Sequence, residues 1–415
     1  EGTARVVRED PKDPNLVYAG TGTGEYASFD RGSHWQSLQL NLPTTVVSDL
    51  TVRDSDVVIS TYGRGFWILD DIAPLRHQAR AVASAGAPFF FKPEPASRAR
   101  WDNTQDTPVP PEMVVGENPP EGAILDYYLP QAASKITVTI SDPAGAVIRE
   151  FSNVAPPPDT TMPNVPEYWI MPPTVLPTGA GMHRINWDLR YPDPPSLNYG
   201  YGGNALDYRE YTLNWHAIPG KTYRNTVVGP MVLPGSYTAK LTVDGVTLPQ
   251  TITVVQDSRI NVSDADLHAQ FRLEQRMVAG LDATYHGITY VQQLRTALAD
   301  RVKAAAGKPA AAQITSAAQA LDGALAPLAA SGGPLGIAHR DLGRRINDQL
   351  IADAKPTPSV IAGVDVPCGS IDTALESLRK LQTTRVADLN AIIRRAGLEP
   401  LPSWTPPAAP ACGAK

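Results

Sequence analysis

Apolar and polar positions along the chain follow three rhythms. The first region runs from residue 1 to about 75 and carries short alternating or apolar runs separated by turn signals. These runs are Leu16–Gly20, Glu25–Phe29, Trp35–Leu38, Ser48–Val52, Val57–Tyr62 and Gly65–Leu69, with Ala4–Arg8 as a first, inner strand. Asp-Pro, Gly-Thr-Gly and Asp-Arg-Gly punctuate them, and evenly spaced short strands predict an antiparallel meander. A polar, proline-rich stretch over 76–120 reads as a linker, with one apolar patch at Pro88–Phe91 expected to dock on a neighbour.

Alternation returns over 121–258. Ile124–Leu129, Lys135–Ser141, Val147–Phe151, Met182–Leu189, Gly235–Val243 and Leu248–Val255 read as strands. Asp142–Gly145 and Asp244-Gly245 are the tight turns of two hairpins. The pattern predicts a β-sandwich of roughly seven strands, interrupted by long insertions at Pro156–Gly181 and Tyr191–Gly229.

From 259 to 397 the period changes to that of helices. Ser263 is the expected N-cap of a helix reaching about Ala306, with Asp264 and Asp266 in its first turn and Gly307 and Pro309 at its end. Its stripe is Phe271, Val278, Leu281, Tyr285 and Ile288, then Val291, Leu294 and Leu298. Further helices are expected at about 310–330, 338–354 and 370–396, together an antiparallel bundle. The proline-rich tail, 398–415, is expected to lie on a surface. The fold class predicted is thus multidomain β plus α.

Composition narrows the function classes. With 42% hydrophobic and 19% charged residues the chain is globular. A net charge of −6 with no long basic run argues against a nucleic-acid partner or an anionic membrane surface. No stretch reaches the ~18 apolar residues of a membrane span. The 40 prolines stiffen the connecting segments. Two cysteines, Cys368 and Cys412, are too few ligands for a metal site. They read as one disulfide tying the tail to the last helical region, or as two free thiols. No cofactor is expected: Gly20-Thr-Gly22-Thr-Gly24 does not lead into a helix, as a phosphate loop requires. No Gly-x-Ser-x-Gly elbow or His-Glu-x-x-His helix occurs.

Ser28, Asp30, Gly32 and Trp35 occur in the stretch Ser28-Phe-Asp-Arg-Gly-Ser-His-Trp35, preceded by Asp13-Pro-Asn-Leu-Val-Tyr-Ala-Gly20. These residues resemble the Asp-box (BNR) repeat of sialidases, sortilin-type receptors and xyloglucanase-type hydrolases. The run Gly63-Arg-Gly-Phe-Trp-Ile-Leu-Asp-Asp71 is similar to the last propeller strands of bacterial proteins described as glycosyl hydrolases or sortilin-like. The resemblance implies β-propeller blades, with Asp30 structural, at a blade's periphery. It also implies a secreted, periplasmic or cell-surface bacterial protein.

The residues after the blades resemble the Ig-like modules found behind bacterial propellers. Leu125-Asp-Tyr-Tyr-Leu129, Asn186-Trp-Asp-Leu-Arg190 and Pro234-Gly-Ser-Tyr-Thr238 carry that likeness.

Four strands make a blade, so residues 1–75 supply one blade and three strands of a second. The chain, opening at Glu1, is expected to be the C-terminal part of a larger protein, or to pair with a second polypeptide carrying the rest of the ring. It is read as a non-catalytic structural, partner-binding or glycan-binding portion. The alternative is a glycoside hydrolase whose catalytic residues lie mostly elsewhere. Tyr62 and Arg64, near a strand end, are the candidate ligand contacts on the blades. Tyr199, Tyr201 and Trp215, in the aromatic insertion, are the candidates on the sandwich, because aromatic rings stack on sugars and anchor interfaces.

Overall fold

The computed structural model describes residues 2–76, 85–100, 119–156, 173–195, 228–349 and 352–413, with Val82, Glu112 and Gly116 besides. It is a mixed β plus α protein, with several antiparallel sheets followed by helices.

Strands β1 (Ala4–Glu9), β2 (Val17–Thr21), β3 (Glu25–Ser28) and β4 (Gln36–Ser37) form a four-stranded sheet in sequence order. β5 (Val47–Arg53), β6 (Asp56–Thr61) and β7 (Phe66–Leu69) form a three-stranded sheet, also in order. The two sheets share one core, in which Leu16, Tyr18, Val47, Leu50, Val57 and Ile59 are buried. Gly20 permits this approach: a Cβ there would sit 2.5 Å from Val47 Cγ1 and 2.7 Å from Val6 Cγ1. The Gly20–Gly24 run is a strand connection, closed by Thr21 N donating to Gly24 O at 2.9 Å.

The next unit is two facing sheets over one core. One is ordered β13-β10-β8 and the other β12-β11-β14-β15-β9. Their members are β8 (Phe89–Phe90), β9 (Ala96–Arg98), β10 (Ala123–Leu129), β11 (Ile136–Ser141), β12 (Val147–Ser152), β13 (Gly181–Trp187), β14 (Gly235–Val243) and β15 (Val246–Gln256). Trp187, fully buried, packs edge-on to Tyr237 at 5.5 Å. Among the described residues the sheets hold eight strands, one more than expected. β8 and β9 come from the stretch read as a linker. Phe90 pairs with Tyr127, and β9 runs parallel to the end of β15. Their brevity and the prolines between them, Pro93 and Pro95, hide them from any periodicity.

The helices are α1 (Asp264–Ala304), α2 (Ala311–Ala329), α3 (Pro334–Gln349), α4 (Pro358–Leu381) and α5 (Ala387–Arg395). Ser263 caps α1, its side chain accepting from Asp266 N. α4 starts a dozen residues before the expected 370, because Thr357 caps it and Pro358 occupies its first turn. A π-helical turn, Gln382–Val386, joins α4 to α5. It absorbs one residue, so that Leu378 and Val386, eight apart, both stay buried.

The tail is not simply laid on a surface. Leu401, Ala411 and Cys412 are buried, Trp404 stacks on Tyr290 at 5.5 Å, and Ala411 N donates to Asp372 Oδ1 at 2.7 Å. Cys368 and Cys412 form a disulfide.

Candidate functional site

The Ser28–Trp35 turn closes on itself. Asp30 Oδ1 accepts from Ser28 Oγ at 2.9 Å and from His34 N at 2.8 Å, and Ser28 Oγ accepts from Gly32 N at 2.8 Å. Gly32 takes φ +88°, and the Trp35 indole N–H donates to its carbonyl at 2.9 Å. His34 is exposed but engaged, with Nδ1 2.6 Å from Asp30 Oδ2. That contact, more than any other, holds the Asp30 carboxyl well below the usual carboxylate range. Arg31 extends the lock to the preceding loop, where its Nε donates to Asn15 Oδ1 at 3.1 Å. The Asp30 carboxylate is held by atoms of its own turn, which is the arrangement of a structural lock.

Tyr62 and Arg64 stand at the β6–β7 corner and both are exposed, Tyr62 at 82%. The corner repeats one element of the first turn, since Trp67 Nε1 donates to Arg64 O at 3.0 Å. Phe66 and Ile68 of β7 are exposed at 80% and 55% on the sheet face turned away from the core. β7 is an edge strand, paired only with β6 among the described residues. Tyr199, Tyr201 and Trp215 lie outside the described residues.

Asp70 and Asp71 end β7. Asp71, with φ +48°, accepts from Ala73 N at 3.0 Å just before the short 3-10 turn Ala73–Leu75. Burial pushes its carboxyl up to about 6. Arg184 of β13 donates to the carbonyl oxygens of both Asp70 and Asp71, and forks onto Asp126 at 2.8 and 2.9 Å. The pair therefore fastens the first β unit to the sandwich. A cleft of about 370 Å³ opens beside this tie, lined by Lys12, Arg76, Phe91, Lys92 and Glu94 among others. Neither Tyr62 nor Arg64 lines it. Arg76 is already committed there, its Nε 2.9 Å from both Asp10 carboxylate oxygens.

A second tie joins the sandwich to the helices. Arg98 pairs with Asp353, and Arg100 pairs with Asp353 and lies 3.6 Å from Glu274 Oε1. Glu274, on α1, is fully buried, and desolvation pushes its carboxyl up to about 7. Glu25, on β3, is likewise buried and raised to about 7. Sequence reasoning singled out neither residue. The only available signal for Glu274 was its place four residues from Gln270 on one helix, and polar residues at such spacing usually mark a solvated face.

No group of three or more metal-ligating side chains occurs among the described residues. No described helix is long and apolar enough to cross a membrane. Compared with known proteins, the chain matches no family model, no curated protein and no solved structure.

Proposed function

We infer that the chain is the non-catalytic, partner-binding end of a larger Asp-box propeller assembly, followed by an Ig-like sandwich and a helical bundle. One observation carries the reading: among the described residues the first sheet has four strands, whereas the sheet packed on it has three. The free edge of β7 bears Phe66 and Ile68, with Tyr62 at the adjoining corner. An exposed apolar edge strand is a template for a further strand. Strand addition uses the unpaired main chain for affinity and alternate side chains for specificity. The occupant is a strand of a polypeptide carrying the other blades. A disulfide in a buried setting supports an oxidising, extracytoplasmic compartment.

The test is native mass spectrometry of the chain isolated from the cells that make it. The expected species is a complex with a polypeptide, or a continuation of this one, bearing further Ser-x-Asp-x-Gly-x-x-Trp turns. Phe66→Lys with Ile68→Lys should dissociate a separate polypeptide, or expose the blades of a continuous one to protease. A stable monomer without a companion overturns the reading. Turnover of sialosides or β-glucans by the monomer would favour the hydrolase alternative instead.

A further inference from the structure

The tie between sandwich and helices is asymmetric in charge. Among the described residues, the sandwich presents three cations to Glu274: Arg98 on β9, Arg100 just beyond it, and Arg190 after β13. The carboxylates, Glu274 on α1 and Asp353 in the α3–α4 connection, come from the helical side. Arg98, Arg100, Glu274 and Asp353 have side chains at most 2% exposed. Asp353 is well served, with Arg98, Arg100 and Gln256 Nε2 (3.0 Å) all reaching it. It stays ionised, held below the usual carboxylate range by the two arginines against its own desolvation.

Glu274 is different. Neither of its oxygens has a hydrogen-bond partner, and Arg100 stands 3.6 Å away. A buried carboxylate without hydrogen bonds is costly when ionised, and taking up a proton relieves that cost. Gln270, one turn earlier on α1, shows the contrast: it is spent on Gln349 O, Ala352 O and Ala354 N, all within the helical unit. Glu274 instead faces the arginines of the sandwich.

We propose that the sandwich–bundle junction is a proton-coupled latch, in which Glu274 takes up a proton as the two units close on one another. The sign follows from linkage. The closed state raises the Glu274 carboxyl from the ordinary glutamate range to about 7. The closed state therefore binds the extra proton, and its advantage is complete below about pH 4.5 and lost as pH rises through 7. Acid tightens the latch and alkali loosens it.

Hydrogen exchange on the full chain reads the latch locally. Between pH 5.5 and pH 8.5, after correction for intrinsic rates, protection of the first turns of α1 and of residues 92–100 should fall on the order of tenfold or more. Peptides from the α2 core should change less. Glu274→Gln, which keeps the shape and removes the titration, should flatten the difference. Carbon-13 labelling of glutamate carboxyls gives a readout independent of that variant's folding: two carboxyls, Glu25 and Glu274, should titrate near 7, and one of them should vanish from the spectrum of Glu274→Gln. Equal protection at the two pH values overturns the latch. So does a Glu274→Gln protein with the parent's pH response, or a Glu274→Gln spectrum that keeps every glutamate signal titrating above the ordinary range.

Discussion

At the scale of single residues, the polar groups that matter most are those whose partners come from far along the chain. Asp30 is local: its partners Ser28 and His34 lie within four residues of it. Arg184 is not: it collects Asp126, 58 residues away, and the carbonyls of Asp70 and Asp71, more than a hundred residues away. Arg184→Met should leave the buried Asp126 unpaired and lower stability by about 3 kcal/mol, checked by denaturant unfolding. Arg184→Lys keeps the charge without the fork and should recover only part of that loss. His339 is a second such case. It is fully buried on α3, with Nδ1 2.7 Å from Thr284 Oγ1, and burial pushes it down to about 4. The folded chain resists protonating it, so its contribution is intact above about pH 6.5 and is lost as pH falls towards 4. His339→Gln should flatten the acid side of the stability–pH curve by roughly 3 kcal/mol relative to the parent. The comparison is made against the parent because Glu274 tilts the curve the other way over much of that range.

At the scale of elements, strand and helix identities follow the hydrophobic rhythm, and the departures have local causes. β8 and β9 are two and three residues long, too short to show alternation. They exist because β10 and β15 offer edges on which Phe90 and Ala96 can be buried. α4 begins early because of its Thr357 cap, and its last stripe is continued by the π turn. The tail is held as an element by its disulfide, which closes a separation of 44 residues. Cys368→Ala with Cys412→Ala should cost up to roughly 4 kcal/mol on chain-entropy grounds. Tryptophan fluorescence should shift as Trp404 leaves Tyr290, and an unchanged spectrum and unfolding midpoint would place the tail's hold elsewhere.

At the scale of the whole molecule, the chain is a series of cores joined by polar ties: Arg184 of the sandwich to the Asp70 and Asp71 carbonyls of the first β unit, and Arg98 and Arg100 to Asp353 between sandwich and helices. Buried ion pairs contribute little net stability against apolar residues of like volume, yet breaking one leaves an uncompensated charge. Such ties define which surfaces meet. Two consequences are separable by experiment: completion of the three-stranded sheet at β7, read by native mass, and closure of the Glu274 junction, read by hydrogen exchange against pH.

The sequence by itself determined the order and type of most regular elements outside residues 76–120, the self-contained turn at Ser28–Trp35 and the cap at Ser263. Each depends on residues within a few positions of one another, where period, turn chemistry and capping act directly. Only the tertiary structure decided that the apparent linker supplies two strands, that Asp70 and Asp71 receive Arg184, and that Glu274 lies buried beneath two arginines. Those outcomes depend on which surfaces exclude water together, and burial of that kind is settled between segments far apart in the chain. The turn at Ser28–Trp35 closes on its own atoms, and the carboxylate raised to about 7 at the sandwich–helix junction sits on a helix whose pattern marks it as ordinary.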